Sequence, residues 1–123
     1  MNRQLSWSGQ TGGGHLTEFA WDDVAARLNG VRDSPGTVTL ETFEPHQHLQ
    51  LRADGGLYLL MLGRDTEDDW EVLTLHDTTR AAGNAVLLGD RWDNRILTAD
   101  IEAARVAFRE FFDLGKISSI RLE

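Results

Sequence analysis

The chain has 123 residues, no cysteine, a hydrophobic fraction of 41% and a formal net charge of −8 at pH 7. This length and apolar content predict one folded domain over residues 1–123 and exclude a disordered chain. The lack of cysteine excludes disulfides and thiolate metal sites, and the negative charge opposes binding to nucleic acid and to anionic membranes.

The sequence also argues against export and membrane insertion. Met1–Gln10 is polar and lacks the apolar centre of a signal peptide. The longest apolar run, Leu57–Leu62, has six residues, whereas a membrane-spanning helix needs about 20. A chain without cysteine also suits a reducing compartment, so we expect a cytoplasmic protein.

The N-terminal third is predicted to hold a hairpin and a short helix. Leu5–Ser8 alternates like an edge strand, Gly12–Gly14 favours a turn, and His15–Phe19 is the predicted returning arm. In Trp21–Leu28 the apolar residues recur at helical spacings, which predicts a helix. Gly30 follows as a stop signal.

The middle of the chain and its C-terminal end are predicted to contribute strands. The predicted strands are Thr37–Phe43, Gln47–Ala53, Leu57–Leu62, Trp70–His76, Ala85–Leu88 and Ile117–Leu122. Leu57–Leu62 is apolar at every position, which is typical of a strand covered on both faces. Two polar stretches, Gly63–Asp69 and Gly89–Arg95, are predicted as loops.

Thr98–Lys116 has the strongest helical pattern in the chain. Its apolar stripe is Ile101, Ala104, Phe108, Phe111 and Phe112. Thr98 is predicted to cap the start of this helix and Gly115 to end it. A stripe with three phenylalanines needs a broad apolar cover, which strands supply. We therefore expect an α+β fold: a twisted, mainly antiparallel sheet of five or more strands, with a long C-terminal helix packed on it and a short N-terminal helix.

Residues with catalytic or metal-binding potential form only weak patterns. His46 and His48 could supply half of a metal site, but no third ligand is marked by spacing. The acidic run Asp65–Asp69 lacks the glycine and the distal glutamate of a calcium loop. No serine lies in a nucleophile-elbow context. We therefore expect no catalytic residue, no metal and no cofactor.

Two polar loops have the composition of protein-contact surfaces. The predicted contact residues are Glu67, Asp68, Asp69, Asp90, Trp92 and Asp93. The first three form an acidic loop that suits a basic partner. In the second group, a tryptophan flanked by charges on a loop is typical of an interface anchor. The alternative is that this tryptophan packs back onto the C-terminal helix that follows it.

The order of several segments resembles a known family. The chain contains, in order, an A-W-D-D-V-A-A-R-L helix, a D-G-G hairpin, a W-E-V-L strand and a closing segment that ends in E-F-F-D-L-G-K. The residues that match the family pattern of the closing segment are Ile96, Leu97, Ala103 or Ala104, Ala107, Glu110, Phe111, Phe112 and Gly115. These features resemble immunity family one of the bacterial polymorphic toxin systems.

The resemblance implies a non-enzymatic inhibitor that binds one cognate toxin in the cytoplasm of the producing cell. Some toxins paired with this family are nucleic-acid deaminases, and the basic cleft of such an enzyme complements an acidic protein. The implied partner is a toxin with a basic cleft, and neither nucleic acid nor membrane. Two other functions stay open: a small-ligand-binding or enzymatic domain that uses His46, His48 or His76, and an adaptor subunit of a secretion system.

Overall fold

The computed structural model describes residues 2–9 and 12–123 as eight strands, two α-helices and one 3-10 helix. The strands are β1 Arg3–Gly9, β2 Gly14–Leu16, β3 Gly36–Thr42, β4 Gln47–Ala53, β5 Tyr58–Asp65, β6 Trp70–Thr74, β7 Asn84–Leu87 and β8 Asp90–Asp93. The helices are α1 Trp21–Gly30, the 3-10 helix Asn94–Ile96 and α2 Ile101–Leu114. Across the described residues, no helix has the length and apolar character that a membrane span requires.

Six strands form one sheet in the order β2-β1-β3-β4-β5-β6, and each neighbouring pair is antiparallel. Strands β7 and β8 form a separate antiparallel hairpin. The predicted α+β class is therefore confirmed, with an antiparallel sheet of more than five strands and one helix towards each end of the chain.

The main core lies between one face of the sheet and the two helices. Side chains alternate between the faces of a strand, so every second residue of the inner strands is apolar and buried. The sheet contributes Leu5, Val38, Leu40, Leu49, Leu51, Leu60 and Leu62, and the helices contribute Val24, Leu28, Ala104, Phe108 and Phe111. We call this the helix face of the sheet and the other side the second face.

The β7–β8 hairpin covers part of the second face. Leu59 points away from the main core and forms a smaller buried cluster with Leu87 of β7 and Leu97. Leu60, the next residue of β5, lies in the main core. This double cover, predicted from the sequence, explains why Leu57–Leu62 is apolar at every position.

The start of α2 differs from the prediction. The N-cap is Asp100, whose carboxylate accepts a hydrogen bond from the backbone N–H of Glu102 at 3.0 Å. Thr98 is instead extended and exchanges two backbone hydrogen bonds with Tyr58, at 2.8 and 2.9 Å. Its hydroxyl accepts from the backbone N–H of Asp100. Thr98 therefore joins the segment before α2 to the start of β5.

The stretch Gly89–Arg95 is not wholly a loop, because Asp90–Asp93 is strand β8. It pairs with β7 across a tight turn at Leu88 and Gly89, whose φ angles are 52° and 85°. Positive φ at both central residues is the geometry that two-residue hairpin turns favour. The short strand predicted at Ala85–Leu88 is thus one arm of a separate hairpin.

The last predicted strand, Ile117–Leu122, is reduced to one bridge between Leu75 and Leu122. Gly115 ends α2 with φ 70°, as predicted. The Glu110 carboxylate then accepts hydrogen bonds from the backbone N–H groups of Ser118 and Ser119, at 2.7 and 2.8 Å. This attachment to α2 holds the segment out of the sheet until its last residues.

Candidate functional site

The six contact residues predicted from the sequence lie in two separate places. Residues 67–69 form the turn between β5 and β6, whereas Asp90, Trp92 and Asp93 lie on β8. The β7–β8 turn is attached to the opposite end of the sheet, because the backbone N–H of Leu88 donates to Asp54 just after β4. Strand β5 has eight residues, so the two ends of the sheet lie about 23 Å apart.

The first place is the acidic loop, residues 65–69. Thr66 closes it, because its backbone N–H and its hydroxyl both donate to the Asp69 carbonyl oxygen, at 2.8 and 3.0 Å. The Asp69 carboxylate accepts from the backbone N–H of Trp70 at 2.8 Å. All five loop residues are exposed. Within the described residues, no ion pair joins residues 67–69 to a basic side chain.

Four rings form an aromatic cluster beside the acidic loop: Phe43, His46, His48 and Trp70. His46 stacks on Phe43 with an interplanar angle of 3° and a centroid distance of 5.7 Å. The Trp70 ring centroid lies 5.2 Å from that of His46 and 5.1 Å from that of His48. Phe43 remains 40% exposed. The cluster therefore places apolar and aromatic surface directly next to the acidic loop.

A glycine makes room for this cluster on the second face. Gly63 of β5 lies opposite Val72 of β6. A Cβ atom at Gly63 would lie 2.4 Å from Cζ2 of Trp70 and 2.7 Å from Nε2 of His48. Because real Cβ contacts are never that short, the Trp70 ring can cross β5 only over a residue without a side chain.

The histidines of the cluster differ in their surroundings. His46 Nε2 lies 2.5 Å from Oε2 of Glu41, and His46 Nδ1 lies 3.8 Å from Oδ2 of Asp65. Burial lowers the pKa of His48 below its usual value, and the nearby His46 lowers it further, against the opposing effect of Glu41. His48 is therefore neutral at pH 7 and acts as an aromatic surface.

His76, the third histidine named for a possible pocket, is not part of this cluster. Its Nδ1 lies 3.9 Å from Oε2 of Glu123, beyond the end of β6. In the described part of the chain, no three side chains of His, Asp or Glu converge in a way that could hold a metal ion. Phe43 is the exposed ring of the aromatic cluster, and the other three rings are half-buried.

Trp92 packs on the sheet rather than on α2. It is half-buried against the cluster of Leu59, Leu87 and Leu97, and the Arg52 guanidinium lies over its ring. Its indole Nε1 is buried and has no hydrogen-bond acceptor among the described residues. Trp92 therefore secures the β7–β8 hairpin to the second face, with part of its ring exposed.

Phe43 and Val72 were not predicted as surface residues, although the strand periodicity contained the signal. Phe43 comes just after β3, two residues after Glu41 and four after Thr39, so its side chain lies with theirs on the polar second face. Val72 is 50% exposed and lies on that face beside Trp70. An apolar residue at a polar-face position marks a candidate contact site.

A family described as "Family of unknown function (DUF6911)" matches residues 6–121. The chain belongs to this family. No curated protein matches this chain. Among solved structures, a hypothetical protein from Neisseria gonorrhoeae is similar, with a TM-score of 0.73, 17% identity, and coverage of 97% of this chain and 93% of that chain. At this identity the similarity shows the fold alone, so the resemblance to immunity family one remains a prediction.

In this DUF6911 member, the acidic loop and the aromatic cluster together have the features of a protein-contact surface. Interfaces are enriched in tryptophan and other aromatic residues. The loop supplies four carboxylates over residues 65–69, whereas residues 90–95 contain two carboxylates and two arginines. The loop therefore has the stronger local field, and it is the better candidate for contact with a basic partner.

Proposed function

We propose that this protein is a non-enzymatic inhibitor that binds a cognate toxin in the cytoplasm of a bacterium, as immunity proteins do. One observation carries the proposal: in the described part of the chain, the exposed carboxylates of residues 67–69 form no ion pair, and they lie beside the exposed ring of Phe43 and the half-buried ring of Trp70. This combination of charge and apolar surface supports binding to another protein.

The charge of the loop defines the partner's chemistry. Unpaired carboxylates on an exposed loop attract a positively charged surface and speed the encounter with it. A toxin that acts on nucleic acid, such as a deaminase, needs a basic cleft to hold its substrate. An acidic protein that occupies this cleft would block the substrate by competition, without any reaction of its own.

The aromatic cluster supplies the apolar part of the contact. Charged residues at the rim of an interface mainly affect association rate, whereas buried aromatic residues hold the complex together. Phe43 is exposed and its ring already rests on His46, so little side-chain freedom is lost when a partner covers it. The cluster therefore limits dissociation of the complex.

Charge reversal in the acidic loop and, separately, in strand β8 shows which of the two contacts the partner. The loop variant carries Glu67→Lys and Asp68→Lys, and the matched hairpin variant carries Asp90→Lys and Asp93→Lys. Asp69 is left unchanged because it accepts the hydrogen bond from the Trp70 backbone. The candidate partner in this experiment is the protein encoded by the adjacent upstream open reading frame.

We expect the loop variant to associate about tenfold more slowly at low salt, and the difference to shrink at high salt. The hairpin variant should change less, because arginines already balance its carboxylates. In cells, the loop variant should lose protection at a toxin dose that is limiting for the wild type. Equal protection by the loop variant and the wild type would refute the proposal. If the wild type binds the partner but does not protect the cells, the protein is an adaptor and not an inhibitor.

A further inference from the structure

Strand β6 forms one edge of the sheet. The backbone N–H and C=O groups of its successive residues point alternately towards β5 and away from the sheet. The backbone N–H of Leu75 donates inwards to Leu60. Thr74 faces outwards, because it exchanges two backbone hydrogen bonds with Glu123, each 2.9 Å. Val72 lies two residues before Thr74 in the same strand, so its backbone N–H and C=O also point away from the sheet.

Two residues of the C-terminal segment pair with one part of this edge. Leu122 and Glu123 lie beside Leu75 and Thr74, with an antiparallel bridge between Leu75 and Leu122. Among the described residues, no strand lies outside the first part of β6, from Trp70 to Leu73. An unpaired strand edge is a template for pairing with another extended chain.

The side chains along the open edge favour an extended partner with apolar and basic residues. Val72 is half exposed, and Trp70 lies two residues before it on the same face. The acidic loop immediately precedes Trp70 and carries its carboxylates exposed. An apolar strip with acidic residues at one end complements a strand in which apolar residues alternate with lysine or arginine.

We infer that an extended, basic segment of the partner protein adds a seventh strand along β6, antiparallel to it. The partner residue opposite Val72 exchanges two backbone hydrogen bonds with it, and basic side chains of the segment meet the acidic loop. This inference rests on the proposed function, since it specifies how the partner is held. It also gives a role to the part of β6, beside the acidic loop, that no described strand covers.

Peptides provide a test that leaves the protein unchanged. The probe is a short fluorescent peptide of alternating lysine and valine, and its binding is followed by fluorescence anisotropy at low salt. Valines that pack beside Trp70 and Val72 direct their own N–H groups at β6. A peptide N-methylated at its valines should therefore bind about tenfold more weakly, whereas one N-methylated at its lysines should bind like the parent.

Two protein variants test the same edge. Val72→Pro removes the outward N–H without removing a bond to β5, which edge strands tolerate. Val72→Thr keeps that N–H and the β-branched shape. We expect about tenfold weaker binding of the parent peptide for Val72→Pro and little change for Val72→Thr. If Val72→Pro does not fold, as judged by circular dichroism, the two methylated peptides decide the question.

The outcomes separate this inference from the proposed function. If both methylated peptides bind equally, or no peptide binds, strand addition is refuted, while the loop variant still tests the inhibitor proposal. If the wild type sediments as a dimer that Val72→Pro converts to a monomer, the edge pairs with a second copy and the partner-segment inference is wrong. If the peptide binds as a strand but binds the charge-reversed loop variant as tightly as the wild type, only the role of the acidic loop is refuted.

Discussion

The guanidinium carbon of Arg52 lies 5.7 Å from the centroid of the Trp92 ring. Arg52 belongs to β4 of the sheet and Trp92 to β8 of the separate hairpin. A cation near the face of an aromatic ring is attracted by its electron density. This contact, together with the ring's burial on Leu59 and Leu97, attaches the hairpin to the second face. It makes Trp92 mainly a packing residue.

Replacing Trp92 should separate its packing from its polar group. Trp92→Phe keeps a ring on the sheet and removes an indole N–H that is buried without an acceptor in the described chain. We expect its free energy of unfolding to stay within about 1 kcal/mol of the wild type. Trp92→Ala should lower it by about 2 kcal/mol. Urea denaturation measures both, and an equal loss in the two variants would show that the indole N–H is satisfied.

Gly63→Ala should disturb the aromatic cluster. The new methyl group would lie 2.4 Å from Trp70 and 2.7 Å from His48, so both rings must move. We expect a loss of about 1–3 kcal/mol in the free energy of unfolding and a shifted tryptophan fluorescence spectrum. Gly30→Ala is the control, because no described atom outside its own helix and chain neighbours lies within 4 Å of its added Cβ. An unchanged spectrum for Gly63→Ala would contradict the placement of Trp70.

Phe43→Ala tests the cluster as a binding surface. Phe43 is 40% exposed, so its removal should change the free energy of unfolding by less than about 1 kcal/mol. If Phe43 is an anchor, dissociation from the partner should become about tenfold faster. Val86→Ala on the β7–β8 hairpin is the matched control, because Val86 is 59% exposed. Surface plasmon resonance gives both rates, and equal rates for the two variants would exclude Phe43 as an anchor.

The attachment of the C-terminal segment to α2 should depend on pH. Hydrogen bonds from the backbone N–H groups of Ser119 and Ser118 lower the pKa of Glu110 from 4.5 to about 2. A depressed pKa means that the attachment stabilises the fold fully above about pH 4.5 and is lost as the pH falls towards 2. We expect the two serine amides to lose protection from hydrogen exchange over this range.

The control for this titration is Glu110→Gln, which has no titrating carboxylate. Its serine amides should be less protected at neutral pH, and their protection should not change between pH 4.5 and 2. Nuclear magnetic resonance can follow both amides in both proteins. If the wild-type amides keep their protection at pH 2, the carboxylate is not what holds the segment.

The sequence predicted the elements whose signals are local. The spacing of Phe108 and Phe111 in α2, the glycine that ends it and the alternation of β4 each depend on neighbours within a few residues. The predicted start of α2 was wrong. Thr98 and Asp100 are both good caps, and only the pairing of Thr98 with Tyr58 decides between them. Strand β8 was missed because its three charged residues are exposed and only Trp92 is half-buried, so the segment reads as a polar loop.

By itself, the sequence determined the α+β class, the antiparallel sheet and the acidic character of residues 65–69, because periodicity and charge are properties of consecutive residues. Only the tertiary structure decided that the two predicted contact loops lie at opposite ends of the sheet. It also decided that Phe43, His46, His48 and Trp70 meet over Gly63. The physical reason is that strand order and register bring together residues far apart in the chain, and no local pattern encodes either.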